Sequence, residues 1–196
     1  MWNYKTPGIP DDFFERVEKV PITKEEIRVI QISKARLNPG QIVYDIGCGS
    51  GSISIEAAIQ VENSGKVFAI DYDSNAVNLT KKNIKKFGIS NISVILGNAK
   101  EKIMELPKAD VVFIGGTGGD TTEIIELSQD KLKTGGRIVI ATILIETLYS
   151  VLKIIDKLKF DLIDITQITV SKNKKTTKGS MMISRNPITI ISATKI

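Results

Sequence analysis

The sequence of 196 residues contains no histidine and a single cysteine, Cys48. Without histidine the chain has no imidazole for acid–base catalysis, no Ser-His or Cys-His nucleophilic pair and no histidine ligand for a metal. One cysteine excludes an internal disulfide and leaves a thiol with no evident base beside it. We therefore predict no metal site, and any proton transfer must use Asp, Glu, Lys, Tyr, Cys or water.

Long apolar runs are also missing. No segment is long enough to cross a bilayer, and the N-terminal region has no apolar secretory core. We therefore expect a cytoplasmic location and no membrane partner. Lys and Arg number 27 against 22 Asp and Glu, so the formal net charge is +5, which favours an anionic partner. The length suits one domain that spans residues 1–196.

Strand-like and helix-like segments alternate along the chain. Short runs rich in β-branched residues are followed by segments with helical spacing, one of which begins with Ser74 as its predicted N-cap and ends before Gly88. The strand candidates are QIVYDI, KVFAID, NISVIL, ADVVFI, GRIVIATIL, FDLIDITQITV and NPITIISATKI. This alternation predicts an α/β fold with a seven-stranded, mostly parallel sheet.

The two ends of the chain depart from the alternation. Residues 1–36 form a predicted N-terminal extension with one helix, from about Lys24 to Ala35. The segment SKNKKTTKGSMMISR joins the last two strands and is too short for a parallel crossover. The last strand is therefore predicted to be antiparallel.

Three glycines, Gly47, Gly49 and Gly51, separate the first strand from the helix that follows it. Glycine permits a sharp turn and a close approach of a ligand to the backbone. The spacing is G-x-G-x-G, whereas the dinucleotide-binding turn is G-x-G-x-x-G, which counts against an NAD site. The second strand ends in Asp71, whose carboxylate can accept two hydrogen bonds from a ribose diol.

This turn, with Asp45 before it, resembles motif I of S-adenosylmethionine (AdoMet) methyltransferases. The resemblance implies a Rossmann-like class I AdoMet-dependent methyltransferase fold with AdoMet as the cofactor. The end of the third strand, LGNAK, lies where adenine-contacting residues of that class are found.

A wider resemblance covers nearly the whole chain. The segments GIPDDFF, VPITKEEIR, DIGCGSGSISIEAA, FAIDYDSNAV, FIGGTGGD, LKTGGRIVIATILIET and GSMMISRNPITII occur in order. Together they resemble the decarboxylating cobalt-precorrin-6B methyltransferases of anaerobic cobalamin synthesis. The resemblance implies methylation of carbon 15 of the corrinoid, loss of carbon dioxide from the ring-C acetate, cobalt-precorrin-7 as product and a homotetramer. The lysine-rich segment SKNKKTTKGS departs from the family pattern.

Motif position then implies which residues contact AdoMet. These residues are Thr23, Gly47, Cys48, Gly49, Ser50, Gly51, Asp71 and Ala99. For the substrate, an anionic tetrapyrrole, Gly116, Thr117 and Gly118 are expected to form a flat surface lined by backbone. Arg185 offers a planar fork for a carboxylate. The nearby lysines are explained at least equally well by a solvated hairpin.

No catalytic residue is assigned. Asp120 and Glu146 lie near predicted strand ends and are weak candidates for a proton donor, although a helix N-terminus explains both more simply. Core or subunit-interface packing is the expected role of Met181 and Met182.

Two other functions stay open. A tRNA or rRNA methyltransferase would share the fold and suit the positive charge, but no RNA-binding domain is evident and only 6% of the residues are aromatic. A non-catalytic AdoMet-binding subunit fits the lack of an evident acid or base. The sequence also leaves open whether the substrate contains cobalt and whether methylation or decarboxylation comes first.

Overall fold

A computed structural model describes residues 2–196. The N-terminal half contains a short 3₁₀ turn, Asp11–Phe13, and then α1 Glu25–Ala35, β1 Ile42–Ile46, α2 Ser52–Val61, β2 Lys66–Asp71, α3 Ser74–Phe87 and β3 Ile92–Leu96. The rest of the chain contains α4 Ala99–Glu105, β4 Ala109–Ile114, α5 Thr121–Lys131, β5 Leu132–Thr142, α6 Ile145–Lys157, β6 Asp161–Ile168, β7 Ser171–Thr176, β8 Gly179–Ser184 and β9 Ile188–Thr194.

Seven strands form one sheet in the order β3-β2-β1-β4-β5-β9-β6. The first five strands pair in parallel, and β9 is antiparallel to both β5 and β6. The prediction of a mostly parallel sheet with an antiparallel last strand is therefore confirmed. The strand order reverses between β1 and β4, and ligands of such sheets bind at the carboxyl ends of the strands at this point.

Each face of the sheet carries a layer of helices, and the side chains of β1 alternate between the two. Val43 packs with residues of α1 and α2, whereas Tyr44 and Ile46 pack with residues of α4, α5 and α6. This alternation follows from the period of two residues in a strand. Because both faces are covered, the strands read as nearly continuous apolar runs in the sequence.

The segment between β6 and β9 is not a simple connection. Strands β7 and β8 pair as a separate antiparallel hairpin, with Ser171 opposite Ser184 and Thr176 opposite Gly179. All residues of both strands are exposed. The solvated hairpin that was one explanation of the lysines is therefore present, although β7 contains no apolar residue and periodicity gave no sign of its strands.

The N-cap of α3 is Asp73 rather than the predicted Ser74, which is the first helical residue. The Asp73 carboxylate accepts a hydrogen bond from the Asn75 N–H at 2.8 Å. Aspartate and serine are both good N-caps, so residue type alone did not separate the neighbours. The predicted end of the helix is confirmed, since Gly88 follows it with φ of 68°.

The N-terminal extension lies across α2 and α3. Ile9 and Phe14 pack with Ile55 and Phe87, and Val20 packs against α3. The predicted helix begins one residue later than expected, at Glu25. The extension thereby brings residues 21–24 to the carboxyl edge of the sheet, beside the glycine turn.

Candidate active site

Two adjoining cavities lie at the carboxyl edge of the sheet, where the strand order reverses. The first has a volume of about 410 Å³ and is lined by the ends of β1, β2, β3 and β4. The second has a volume of about 630 Å³ and extends toward α1 and the end of β5. Both are lined by Gly47 and residues 116–118, so a group bound in one cavity directly adjoins the other.

The glycine turn has the backbone conformation that the sequence predicted. Gly47, Gly49 and Gly51 have φ values of 72°, 55° and 76°, in a region that favours glycine. A Cβ atom on Gly47 would lie 2.7 Å from the Gly116 carbonyl oxygen, and one on Gly49 would lie 2.7 Å from that of Pro21. The turn therefore needs glycine for close packing as well as for its shape.

Asp71 at the end of β2 organises this turn. One carboxylate oxygen accepts a hydrogen bond from the Gly49 N–H at 2.9 Å, and the other accepts one from the Asp73 N–H at 3.0 Å. Each oxygen keeps a further lone pair for a ligand. Asp71 lines the first cavity, so its carboxylate has the position and the capacity to accept from a ribose diol.

Helix α3 and the N-terminal extension hold the turn from outside. The Thr80 hydroxyl donates to the Gly49 carbonyl at 2.9 Å, and the Asn83 amide donates to the Ser50 carbonyl at 2.9 Å. On the other side, the Ser50 N–H donates to the Pro21 carbonyl at 3.1 Å. The turn is thus fixed by side chains that the glycine motif itself does not contain.

Asp45 is the acidic residue before the turn and lines the second cavity. Its carboxylate accepts a hydrogen bond from the Ser54 hydroxyl, and the residue is only 4% exposed. Burial, together with the negative charge of Asp71, raises the pKa of Asp45 to about 6. Burial also raises the pKa of the Cys48 thiol, which lies 3.6 Å from the Thr80 hydroxyl, so Cys48 is unsuited to act as a nucleophile.

Most of the predicted site residues meet at these cavities. Asp71 and Ala99 line the first cavity, and Thr23, Cys48 and Gly49 line the second. Gly47, Gly116, Thr117 and Gly118 line both. Ser50 and Gly51 lie in the turn but line neither cavity.

The three charged candidates are separated. Asp120 lines the first cavity and lies 3.3 Å from the Lys100 ammonium. Glu146 lies in the exposed first turn of α6 and lines neither cavity. Arg185 lies outside both cavities, where its guanidinium is 3.5 Å from the Glu26 carboxylate.

Sequence reasoning missed several residues that line the cavities: Pro21, Gln31, Tyr72, Leu144 and Thr147. Tyr72 could have been predicted as a lining residue because it directly follows Asp71 at the end of β2. Gln31 gave no signal, since a glutamine inside a helix has no characteristic motif. It is 4% exposed and lies one turn beyond Ile27 on the same face of α1.

The residues present fit AdoMet. A Cβ atom on Gly116 or Gly118 would meet no other atom within 4 Å, so these glycines leave open space beside the turn. Asp71 presents a carboxylate on one side of that space, and the second cavity continues on the other. The sheet, the glycine turn and the acidic end of β2 define a class I AdoMet-dependent methyltransferase.

Known proteins share this arrangement. The family described as "Precorrin methyltransferase domain" matches residues 12–195. A protein of Saccharolobus solfataricus named "Probable cobalt-precorrin-6B C(15)-methyltransferase (decarboxylating)" is 47% identical over 196 residues, which cover 99% of this chain and 98% of that protein. The chain belongs to the precorrin methyltransferase domain family, as its motifs predicted.

Two crystal structures agree with the family. The structure of precorrin 8W decarboxylase from Methanobacterium thermoautotrophicum superposes with a TM-score of 0.89 at 34% identity, over 94% of this chain and 98% of that one. That of precorrin-6Y C5,15-methyltransferase from Geobacter metallireducens superposes with a TM-score of 0.91 at 35% identity, over 99% and 100% of the two chains. The similarity therefore includes the N-terminal extension and the hairpin.

Residues 2–196 contain neither a candidate membrane span nor a cluster of metal ligands. Among these residues, none of the helices is both long and apolar enough to span a bilayer. Within the same range, no three Cys, Asp or Glu side chains are grouped as potential ligands of a metal ion.

Proposed function

We propose that this enzyme methylates carbon 15 of cobalt-precorrin-6B and removes carbon dioxide from the ring-C acetate, giving cobalt-precorrin-7 in cobalamin synthesis. The observation that carries the proposal is the pair of cavities that share Gly47 and residues 116–118. One cavity presents the acidic strand end expected for a nucleoside, and the other is larger and mostly apolar. The names of the related proteins give the substrate class.

The residues proposed to hold AdoMet are those of the glycine turn and the neighbouring strand ends. They are Thr23, Gly47, Cys48, Gly49, Ser50, Gly51, Asp71 and Ala99. When bound, AdoMet supplies an electrophilic methyl group on a sulfonium. The chain then has to orient carbon 15 toward that methyl and exclude water, which an in-line displacement chiefly requires.

The anionic tetrapyrrole is proposed to lie against Gly116, Thr117 and Gly118, with Arg185 binding one of its carboxylates. To do so, Arg185 would have to separate from Glu26, since its Nη1 lies 3.5 Å from Glu26 Oε2. Both of these atoms are buried and have no hydrogen-bond partner. A pair held this loosely can exchange for a better-placed substrate carboxylate.

Decarboxylation needs an electron sink and a later proton. The conjugated macrocycle supplies the sink, so the electrons of the broken carbon–carbon bond enter the substrate rather than a protein group. Asp120 is favoured over Glu146 as the proton donor because only Asp120 lines a cavity.

A homotetramer is part of the proposal. The hairpin exposes Met181, Met182 and Ile183, and the edge strand β6 exposes Leu162, Ile163 and Ile165. Apolar side chains on an edge strand and on a hairpin favour association with another chain. We also propose that residues 1–196 form one domain and that the enzyme is cytoplasmic.

Mass spectrometry of cobalt-precorrin-6B incubated with the protein and methyl-labelled AdoMet tests the activity. The expected product has gained the labelled methyl and lost carbon dioxide. Asp71→Ala should abolish both changes by removing the carboxylate from the AdoMet cavity. A parallel incubation with the cobalt-free substrate shows which form is used, and sampling at early times shows which step comes first.

Other results would lead to the alternatives. Methyl gain without loss of carbon dioxide would mean that decarboxylation belongs to another protein. No turnover of either corrinoid, with AdoMet binding intact, would contradict the proposal. Transfer of labelled methyl to tRNA or rRNA would then identify an RNA methyltransferase, and no transfer to any acceptor would leave a non-catalytic AdoMet-binding subunit.

A further inference from the structure

A buried network of charged residues fastens the N-terminal extension to the rest of the molecule. Arg28 on α1 is 0% exposed, and Glu56 on α2 is 1% exposed. The Arg28 Nε donates to Glu56 Oε1 at 2.6 Å, and an Arg28 Nη1 lies 3.3 Å from Asp11 Oδ1. The guanidinium also lies 4.9 Å from the centre of the Phe14 ring.

The same two side chains hold the backbone of the extension at several points. Glu56 accepts hydrogen bonds from the N–H groups of Gly8 and Ile9, at 2.9 Å and 3.0 Å. Arg28 donates to the carbonyl oxygens of Ile9 and Thr23. Asp11 accepts a further bond from the Glu25 N–H at 3.0 Å, so both ends of the segment from Gly8 to Glu25 are fixed.

This segment is also a wall of the second cavity. Residues 21–24 line it, and the Pro21 carbonyl accepts a hydrogen bond from the Ser50 N–H at 3.1 Å in the glycine turn. Helix α2, which carries Glu56, begins directly after that turn at Ser52. Arg28 therefore connects the wall to the helix behind the turn through one side chain, and the wall in turn contacts the glycine turn through Pro21.

Such a network is weak evidence for a role in stability. Removing two charges from water is costly, and buried ion pairs can often be replaced by apolar residues without loss of stability. The geometry of this network, in contrast, is specific, because a guanidinium has five donors in a fixed planar arrangement and here reaches two carboxylates and two carbonyls.

We propose that Arg28 is a positioning residue that holds residues 21–24 against the glycine turn and so shapes the part of the AdoMet site that Thr23 and the turn contribute to the second cavity. The inference rests on the proposed function only for the identity of the acceptor substrate. The wall lines the cavity before and during the reaction. Its displacement should therefore weaken the binding of AdoMet equally in the ground state and in the transition state.

Arg28→Lys is the first test. Lysine keeps the charge beside Glu56 but lacks the planar set of donors that reaches Thr23 and Ile9. The expected result is an AdoMet Kd and KM raised about tenfold, the cost of roughly one good hydrogen bond, with kcat within about twofold of wild type. Amide protons of residues 8–24 should exchange faster.

Arg137→Lys is the matched control. Arg137 is 6% exposed and donates to the Lys34 carbonyl at 2.8 Å, at the far end of α1, and it lines neither cavity. Its replacement should lower the thermal midpoint and leave the AdoMet Kd within about twofold of wild type. The comparison separates the loss of a buried arginine from the loss of the wall.

The readouts also separate positioning from folding. A purely structural defect lowers the amount of folded enzyme, and hence the apparent kcat, but leaves KM unchanged. If Arg28→Lys does not fold, Arg28→Met combined with Glu56→Gln removes both charges and keeps one of the two side-chain oxygens that accept from the Gly8 and Ile9 N–H groups. Binding is measured calorimetrically with AdoMet alone, so this test stands even if wild-type enzyme fails to convert a corrinoid.

If folded Arg28→Lys binds AdoMet with the same Kd as Arg137→Lys, the proposal is overturned. A lowered apparent kcat at unchanged KM would also overturn it, since that result assigns Arg28 to folding alone.

Discussion

Gly47 and Gly49 show at the scale of single residues why the turn tolerates no other amino acid. Each has a positive φ, and each faces a backbone oxygen where a Cβ atom would lie. Backbone strain and steric contact therefore act together at these positions. The two contributions can be measured separately, because Gly135 has φ of 78° and no atom within 4 Å of its Cβ position.

We expect Gly49→Ala to lower the free energy of unfolding by about 2–3 kcal/mol and to raise the AdoMet Kd at least about tenfold. Gly135→Ala should cost only the strain, about 1 kcal/mol, and leave AdoMet binding unchanged. Denaturant unfolding and calorimetric titration of both variants give the two quantities. Equal effects of the two substitutions on AdoMet binding would show that contact with Pro21 is irrelevant.

Asp45 makes a second prediction at this scale, about pH. Its ordinary pKa of 3.8 rises to about 6 in the folded protein through burial. Between these values the folded state holds a proton that the unfolded state has released, so stability falls as pH rises from about 4 to about 6. Above this window the folded protein has lost about 3 kcal/mol relative to strongly acidic pH through this group.

Asp45→Asn should remove this component, because the amide cannot ionise and its oxygen can still accept from Ser54. The variant should be more stable than wild type near pH 8, and the difference should shrink toward pH 4, as measured by denaturant unfolding. Asp164→Asn is a control of opposite sign, since a hydrogen bond from Lys34 lowers the pKa of Asp164. A wild-type profile that Asp45→Asn leaves unchanged would contradict the assigned shift.

At the scale of elements, the apolar strands and the amphipathic α3 could be read from the sequence because burial imposes a regular pattern on them. Strand β7 has no such pattern, since SKNKKT is stabilised by pairing with β8 and has no buried face, so a solvated hairpin was only one of two explanations of its lysines. The glycine turn and Asp71 were predictable because local chemistry requires those residue types. Gln31 and Arg28 were not, because their positions depend on contacts between α1, α2 and the extension.

The correction at α3 leads to a prediction for that helix. Asp73→Ala should destabilise the protein by about 1 kcal/mol, because the Asn75 N–H loses its acceptor. That loss corresponds to a fall of about 2–4 °C in the thermal midpoint for a domain of this size. Ser74→Ala, one residue later, should change the midpoint by less than about 1 °C, since alanine is the better helix former.

A thermal scan of the two variants decides the assignment. If Ser74→Ala were the more destabilising, Ser74 would be the N-cap and the carboxylate of Asp73 would not cap the helix in solution.

At the scale of the whole molecule, the edge strand β6 and the hairpin each expose three large apolar side chains: Leu162, Ile163 and Ile165 on β6, and Met181, Met182 and Ile183 on the hairpin. Lys172 ties the hairpin to its own chain, because its ammonium lies 3.3 Å from the Glu25 carboxylate and also contacts Glu26. The hairpin is thus held in place while its apolar side chains stay accessible. A surface that is both fixed and apolar is suited to bind another copy of the chain, because little conformational freedom is lost on association.

Met182 offers the sharpest test of the proposed tetramer. It is 65% exposed on β8, whereas Met104, on α4 and away from the hairpin, is 57% exposed. Met182→Lys would bury an ammonium in the interface, a cost of several kcal/mol for each copy, so we expect the tetramer to dissociate. Met104→Lys, with a similar change in charge and exposure, should keep a particle four times the 21.5 kDa chain mass.

Light scattering after size exclusion measures both masses, and circular dichroism confirms that the variants are folded. If wild type and both variants share one mass, the hairpin is not part of an interface, and a monomeric wild type would contradict the tetramer itself.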